Sequence, residues 1–179
     1  MSTARFATAI GECAMSWSEA GVTGFSLPEN LLPEVASAPA SYPAPALSLS
    51  ATLHPDLPAE IAVLIDRVRG HLCGDLQDFR DVRFDWEAVT PFRQRVLRAV
   101  LAVGPGHTAT YGQITAAIGA APSACRATGG AVGANPWPLL IPCHRILGAN
   151  GKLTGYSATG GLRTKARLLA IEGVEQPAG

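Results

Sequence analysis

Apolar and polar residues alternate loosely along "ARFATAIGECAMSWSEAGVTGFSLP", residues 4–28, and the run turns between Ser18 and Gly21, which predicts a hairpin. From about Asp56 to Leu72 the period lengthens, so that Leu57, Ile61, Leu64, Ile65 and Val68 fall on one side of a helix. "VRFDW", residues 82–86, reads as a strand returning to the sheet. Between hairpin and helix, "PEVASAPASYPAPA" (33–46) is a Pro, Ala and Ser-rich loop without a core face. The first half is therefore a small α+β unit with no evident chemistry of its own.

The second half has helical periodicity. Thr90 before Pro91 marks a helix start, because the hydroxyl can cap and proline costs little at the first helical position. Phe92, Val96, Leu97, Val100 and Leu101 mark its buried face, and "GPGH" ends it. "TATYGQITAAIG" predicts a short helix closed by Gly119; "AAP" then leads into "SACRATGGAVGANP". Two short helices across a tight Gly/Pro turn form a helix-turn-helix pattern, a weak signal alone. From Ser123 to Gly133 the side chains are nearly all small (Ala124, Ala127, Gly129, Gly130, Ala131, Gly133), with Arg126 the one long cation. Glycines inside a helix cost roughly 1 kcal/mol each relative to alanine. They suit either close packing on a neighbouring helix or a smooth surface lying in a DNA groove with one arginine projecting.

"NPWPLLIPCHRILGANGKLTGYS" then places a short apolar stretch, read as a buried strand or extended segment, before Cys143, His144 and Arg145. A free cysteine is ordinarily a small core residue. Here its neighbours need polar surroundings, and Arg145 with the amides of a turn after Pro142 would favour the thiolate, the nucleophilic form. Adjacent residues do not face one another in helix or strand, so His144 would act on the thiol through a bridging water. The imidazole needs an orienting acceptor, and Glu172, at the end of the helix "GGLRTKARLLAIEG", suits that better than Glu175. An acid at a helix C-terminus is poorly placed unless it is paired.

Composition narrows the class. At 179 residues and 47% hydrophobic, the chain can bury one core or two small ones. No apolar run nears the length of a membrane span, and the start lacks a secretory layout, so a cytoplasmic location is expected. Cys13, Cys73, Cys125 and Cys143 are scattered without CxxC or finger spacing, so reduced thiols are expected, with no disulfide framework and no metal site. The formal net charge of zero conceals five Lys/Arg against eleven Asp/Glu in residues 1–85 and nine against three in 86–179. No carboxylate lies between Glu87 and Glu172. A solvated basic face would account for that, yet so long an acid-free stretch favours a polyanionic partner.

Taken together, "TYGQ", "RATGGAVGANP", PCHR and "TKARLLAIEG" closely resemble the O6-alkylguanine-DNA alkyltransferases, over roughly Thr90 to Gly173. The resemblance implies a DNA repair protein that flips O6-alkylguanine, mainly O6-methylguanine, out of the duplex and transfers the alkyl group stoichiometrically and irreversibly to Cys143. It implies that His144 and Glu172 take the thiol proton through water, that Tyr111 bonds the flipped nucleotide and helps protonate the departing guanine, and that Asn135 holds the active-site turn. Tyr156, Ser157 and Pro138 would line the substrate pocket, with Lys165 supporting it. Arg126 would fill the gap left by the flipped base, and Thr110, Ala124, Ala127 and Gly130 would lie against DNA. Binding is expected in the minor groove, with little sequence preference, by a monomer without cofactor.

Three features depart from the common pattern. "GYSATGGL" is longer by Ala158 and Thr159, which would reshape the pocket for bulkier alkyl groups; Gly133 stands where some relatives carry a phosphate-binding cation; and Cys125 adjoins the proposed finger. Some relatives' N-terminal zinc ligands are not recognisable. Other classes remain to be weighed. A cysteine hydrolase or acyl transferase would need an oxyanion pocket and leave the basic half unexplained. A plain DNA-binding regulator would not need PCHR, and a noncatalytic lesion-recognition protein would not need Cys143. The expected architecture is α+β: a small N-terminal sheet-plus-helix domain (1–86), a mostly helical C-terminal domain with a helix-turn-helix (87–175), and a tail (176–179).

Overall fold

A computed structural model describes residues 1–31 and 57–174. The loop expected at 33–46, the start of the first helix at Asp56, Glu175 and the tail at 176–179 lie outside the described residues. The fold is mixed α+β, with a small antiparallel sheet and several helices.

The expected hairpin is one half of a three-stranded meander, β1 (Ser2–Thr8), β2 (Gly11–Ser18) and β3 (Gly21–Ser26), ordered β1-β2-β3. Thr8 pairs with Gly11, so a second tight turn at Ala9 and Ile10 precedes the one at Glu19 and Ala20. Ile10 carries no turn signature, and it is buried rather than solvated. Gly21 has φ +139°, and a Cβ there would lie 2.4 Å from the Arg83 carbonyl oxygen, so the close approach of residues 83–84 requires glycine.

The strand expected at 82–86 reduces to a single parallel bridge, Val22 to Phe84. Val22 N–H donates to Arg83 O at 2.8 Å and Asp85 N–H to Val22 O at 2.9 Å. There the ladder stops, because the Asp85 carboxylate accepts the Glu87 N–H at 3.1 Å and turns the chain. Phe84 and Trp86 then pack against Trp137, with ring centroids 5.0 and 4.9 Å away.

Helix α1 (Ala59–Leu72) begins behind Pro58, whose carbonyl accepts the Ile61 and Ala62 N–H groups, and it buries Ile61, Leu64, Ile65 and Val68 as expected, with His71 and Leu72 extending the stripe. Helix α2 (Pro91–Leu101) buries Val96, Leu97 and Val100. The Thr90 hydroxyl makes no capping bond; Gln94 instead ties the helix start to Trp86 O and Val89 O at 3.1 and 2.9 Å. Strand β4 (Ala109–Thr110) leads into α3 (Tyr111–Ala117), which opens with a capping box between Thr110 and Gln113. A 3-10 turn at Pro122–Ala124 precedes α4 (Cys125–Gly133). A buried hydrogen bond from Thr115 Oγ1 to Thr128 Oγ1, 2.9 Å, joins α3 to α4. Strand β5 (Ile146–Leu147) pairs in parallel with β4, and α5 (Gly161–Ile171) closes the described chain.

One buried cluster runs from Phe6, Met15 and Phe25 in the sheet through Ile65 and Leu97 to Trp137, Ile146 and Leu168. The two halves of the chain therefore share a core, and the turn carrying Cys143 is set inside it.

Candidate active site

The apolar stretch before Cys143 is a buried turn rather than a strand. Every residue from Trp137 to Leu147 is buried, yet Leu139 has φ +75° and Ile141 N–H donates back to Trp137 O at 2.8 Å. Asn135 spans this turn. Its Nδ2 donates to Ile141 O at 2.8 Å while its Oδ1 accepts the Trp137 N–H at 3.0 Å, so both amide ends are used. Trp137 Nε1 donates to Val22 O at 2.9 Å, which fixes the turn against the sheet.

Cys143, His144 and Arg145 form one 3-10 turn beyond Pro142. The thiol is buried, and burial raises its pKa; Asn135, the Lys165 charge, Tyr156 and its own amide oppose that shift. The cation acting on the sulfur is thus Lys165, not the expected Arg145. Arg145 is committed elsewhere: Nε and Nη2 donate to Glu172 at 2.8–3.2 Å, and Nη1 to Val103 O at 2.5 Å. Lys165, fully buried, donates from Nζ to Ile146 O and to Thr154 O; burial brings its pKa down to about 8, against the opposing pull of Cys143. The Tyr156 hydroxyl, buried and without a well-formed hydrogen bond, adjoins the thiol, and burial first, then Cys143, pushes its pKa well up.

His144 Nε2 lies 2.9 Å from Glu172 Oε1. An ionised carboxylate only accepts, so the ring proton is on Nε2 and Nδ1 carries a lone pair. That Nδ1 is buried with no hydrogen-bond partner. Burial lowers the His144 pKa despite Glu172, which keeps the imidazole in the neutral form that can accept a proton. Burial alone would raise the Glu172 carboxyl, but hydrogen bonds from His144, His71 and Arg145 outweigh it and hold the group far below the usual carboxylate range. Glu87, the other described acid in this half, is exposed.

His71, from the far end of α1, was not legible as a site residue; the available signal was its place on the apolar stripe three residues beyond Val68. It donates from Nε2 to Glu172 Oε1 at 3.1 Å. The Gly106 N–H approaches Oε2 of the same carboxylate at 3.4 Å.

Tyr111, half-buried at the start of α3, donates from its hydroxyl to Gly155 O at 3.2 Å. Burial raises its pKa, as do Cys143 and Cys125. Exposed Ser157 donates to Gly133 O. The small residues of α4 differ in what they face. A Cβ on Gly129 would meet the Tyr111 ring at 3.9 Å and one on Gly133 the Ser157 hydroxyl at 3.6 Å, whereas Gly130 faces open space. Arg126, Ala127 and Gly130 are exposed on α4; Ala124 and Thr110 are half-buried nearby.

A cleft of about 230 Å³ runs between the end of β3 and the 157–159 loop, lined by Phe25, Leu27, Asn135, Pro138, Ser157 and Thr159. The added residues Ala158 and Thr159 both line it. A larger hollow of about 370 Å³ lies elsewhere, between Trp17, Leu64 and Arg67, and is lined by no cysteine or histidine. Among the described residues no group of three or more His, Cys, Asp and Glu could hold a metal ion, and no helix is long and apolar enough to cross a membrane. The basic half also presents fewer cations to solvent than its sequence implies. Arg145 and Lys165 are buried, whereas Arg95, which bonds Ile118 O, and Arg98, which stacks 4.5 Å over the Trp86 ring, stay exposed.

Residues 91–174 match the family model for the DNA-binding domain of 6-O-methylguanine DNA methyltransferase. A methylated-DNA–protein-cysteine methyltransferase of Mycobacterium bovis is 44% identical over 121 residues, covering 68% of this chain and 70% of the relative. One of the same name from Methanothermobacter thermautotrophicus is 39% identical over 117 residues, 65% of this chain and 64% of the relative. The crystal structure of Mycobacterium tuberculosis OGT in complex with DNA superposes with a TM-score of 0.70 at 32% identity, covering 95% of this chain and 91% of that one.

Proposed function

The chain belongs to the O6-methylguanine DNA methyltransferase family, and on that footing we infer that it repairs alkylated DNA by moving the alkyl group from guanine O6 to its own Cys143. The observation that carries the assignment of residues is the buried Glu172–His144 pair, with His144 Nδ1 unpartnered in the turn that holds the thiol. The reaction is an in-line displacement. A water passes the thiol proton to His144 Nδ1, and Glu172 stabilises the imidazolium that forms. The thiolate sulfur forms a bond to the alkyl carbon as the carbon–O6 bond breaks, and the electron pair leaves with guanine, which takes the Tyr111 hydroxyl proton; solvent returns a proton to Tyr111 and takes one from the His144 imidazolium. Lys165 favours the thiolate through its charge. The thioether product is stable, so each molecule acts once.

The DNA-facing surface in this reading is a helix-turn-helix made by α3 and α4 within a C-terminal unit of residues 87–175. The exposed, small-residue face of α4 suits a narrow minor groove, with Thr110, Ala124, Ala127 and Gly130 near the backbone and contacts dominated by phosphate and shape. Tyr156, Ser157 and Pro138 border the base pocket, and the Ala158–Thr159 extension sets its width. The protein acts as a monomer in the cytoplasm, without a cofactor.

The test is intact and peptide mass spectrometry after incubation with excess duplex carrying O6-methylguanine. One added methyl per chain, on the peptide containing Cys143, is expected. Lesion binding with no added mass would instead indicate a recognition protein and refute transfer. Arg126→Ala separates extrusion from chemistry: transfer from duplex should slow about tenfold or more, with little change in reaction with the free modified base. Equal losses on both substrates would remove Arg126 as the residue filling the stack.

A further inference from the structure

His71 connects the N-terminal half to the reactive turn through a contact spanning 101 residues of sequence. It lies in the last turn of α1, wholly buried, with its ring 5.5 Å from that of Phe79. Its Nδ1 accepts the Gln77 backbone N–H at 3.0 Å, so the ring proton must be on Nε2, the atom 3.1 Å from Glu172 Oε1. Both nitrogens are committed, and the carboxylate meets a fixed donor.

Arg145 also grips Glu172, as a fork: Nη2 lies 2.8 Å from Oε1, and Nε 2.9 Å from Oε2 and 3.2 Å from Oε1, so it holds the plane of the carboxylate. His71 and His144 both converge on Oε1, at 3.1 and 2.9 Å. The second imidazole therefore adds a donor on the oxygen that accepts the His144 Nε2–H and fixes that oxygen from the side of α1.

We propose that His71 is a positioning residue for alkyl transfer: it holds Glu172 so that Oε1 takes the His144 Nε2–H and His144 Nδ1 keeps its lone pair for the thiol proton. This rests on the Glu172–His144–Cys143 relay described above. It also gives the N-terminal half, which has no nucleophile of its own in the site, a part in the reactive half through the end of α1. The titratable and charged groups around His71 are Glu172, His144 and Arg145, with Asp78 of the 75–82 segment within reach of the Arg145 charge and Arg67 stacked over Phe79.

Three variants of the full chain test it. His71→Gln places an amide N–H near the Nε2 position, His71→Asn reaches only the Nδ1 position, and His71→Phe keeps the ring without either bond. At saturating O6-methylguanine duplex, the Asn and Phe variants should transfer about tenfold more slowly with unchanged DNA affinity, while Gln recovers most of the rate. Removing a donor concentrates charge on Glu172 and favours the His144 imidazolium, so the acid limb of the pH–rate profile should move up in Asn and Phe but not in Gln. Equal slowing in all three, with no movement of that limb, would overturn the proposal in favour of simple packing. If Asn and Phe do not fold, imidazole ¹⁵N shifts of the wild-type chain decide: the Nε2–H tautomer of His71 is expected, and an Nδ1–H tautomer overturns the proposal. Glu172→Gln is measured alongside. An unslowed Glu172→Gln means the relay itself is wrong, whereas a slowed one beside full-rate His71 variants removes His71 alone.

Discussion

Cys143→Ala should abolish alkyl transfer and leave duplex binding in place. The loss should be at least about a thousandfold, because the reaction as proposed runs through the Cys143 thiolate and alanine supplies no nucleophile in its place. The candidates nearby are unsuited. Burial drives the Tyr156 and Tyr111 hydroxyls to higher pKa, away from the attacking form, and Cys125 lies on α4 beside Arg126. The substitution removes one buried sulfur, worth about 1 kcal/mol of packing, so the chain should remain folded. Methyl transfer counted by mass spectrometry, beside lesion binding by fluorescence anisotropy, reads both halves. Stoichiometric transfer by the Ala variant would refute the assigned acceptor; lost binding with lost transfer would mean the residue supports the fold or the docking surface.

Glu172→Gln should damage both rate and stability, and the two effects have different pH signatures. In the wild type the carboxylate receives His71, His144 and Arg145, all buried. Neutralising it leaves the Arg145 charge buried without its counter-ion, a change that costs about 3–5 kcal/mol. The Glu172 carboxyl is held well below its unfolded value of about 4.3, so its stabilising contribution is present above that pH and is lost as pH falls toward the depressed folded value. The stability gap between wild type and Gln variant, measured by urea unfolding, should therefore be widest near neutrality and shrink below about pH 4. A gap that stays constant from neutral to acid pH would mean the charge is not its source. The transfer rate should fall at all pH values where the protein is folded, since Gln can offer the imidazole either a donor or an acceptor and no longer enforces one tautomer. An unchanged pH–rate profile would take Glu172 out of the relay.

Several elements were legible because their information is local. The stripe of Ile61, Leu64, Ile65 and Val68 predicted the buried face of α1, and Pro91 and Gly119 marked helix ends, since a helix repeats its face every few residues whatever surrounds it. The strand at 82–86 and the one before Cys143 were misjudged for the complementary reason. A short apolar run reads alike as strand or buried turn, and the choice was made by Trp137 packing on Phe84 and by the Asn135 clamp. The Thr90 hydroxyl accepts no helix N–H, and the helix start is held instead by Gln94, one turn on, reaching back to Trp86 O and Val89 O, contacts that a local capping rule does not contain.

By itself the sequence determined that Cys143 and His144 share a turn, that a lone acid at Glu172 needs a partner, and that α4 is nearly smooth apart from Arg126. Adjacency, charge and side-chain size are properties of the chain and need no packing to be read. Tertiary structure alone decided that Arg145 is spent on Glu172, that Lys165 and Tyr156 stand beside the thiol, and that His71 reaches the carboxylate from the other half of the molecule. A buried charge takes its partner from whatever the fold brings within hydrogen-bonding distance, and sequence separation carries no information about that distance.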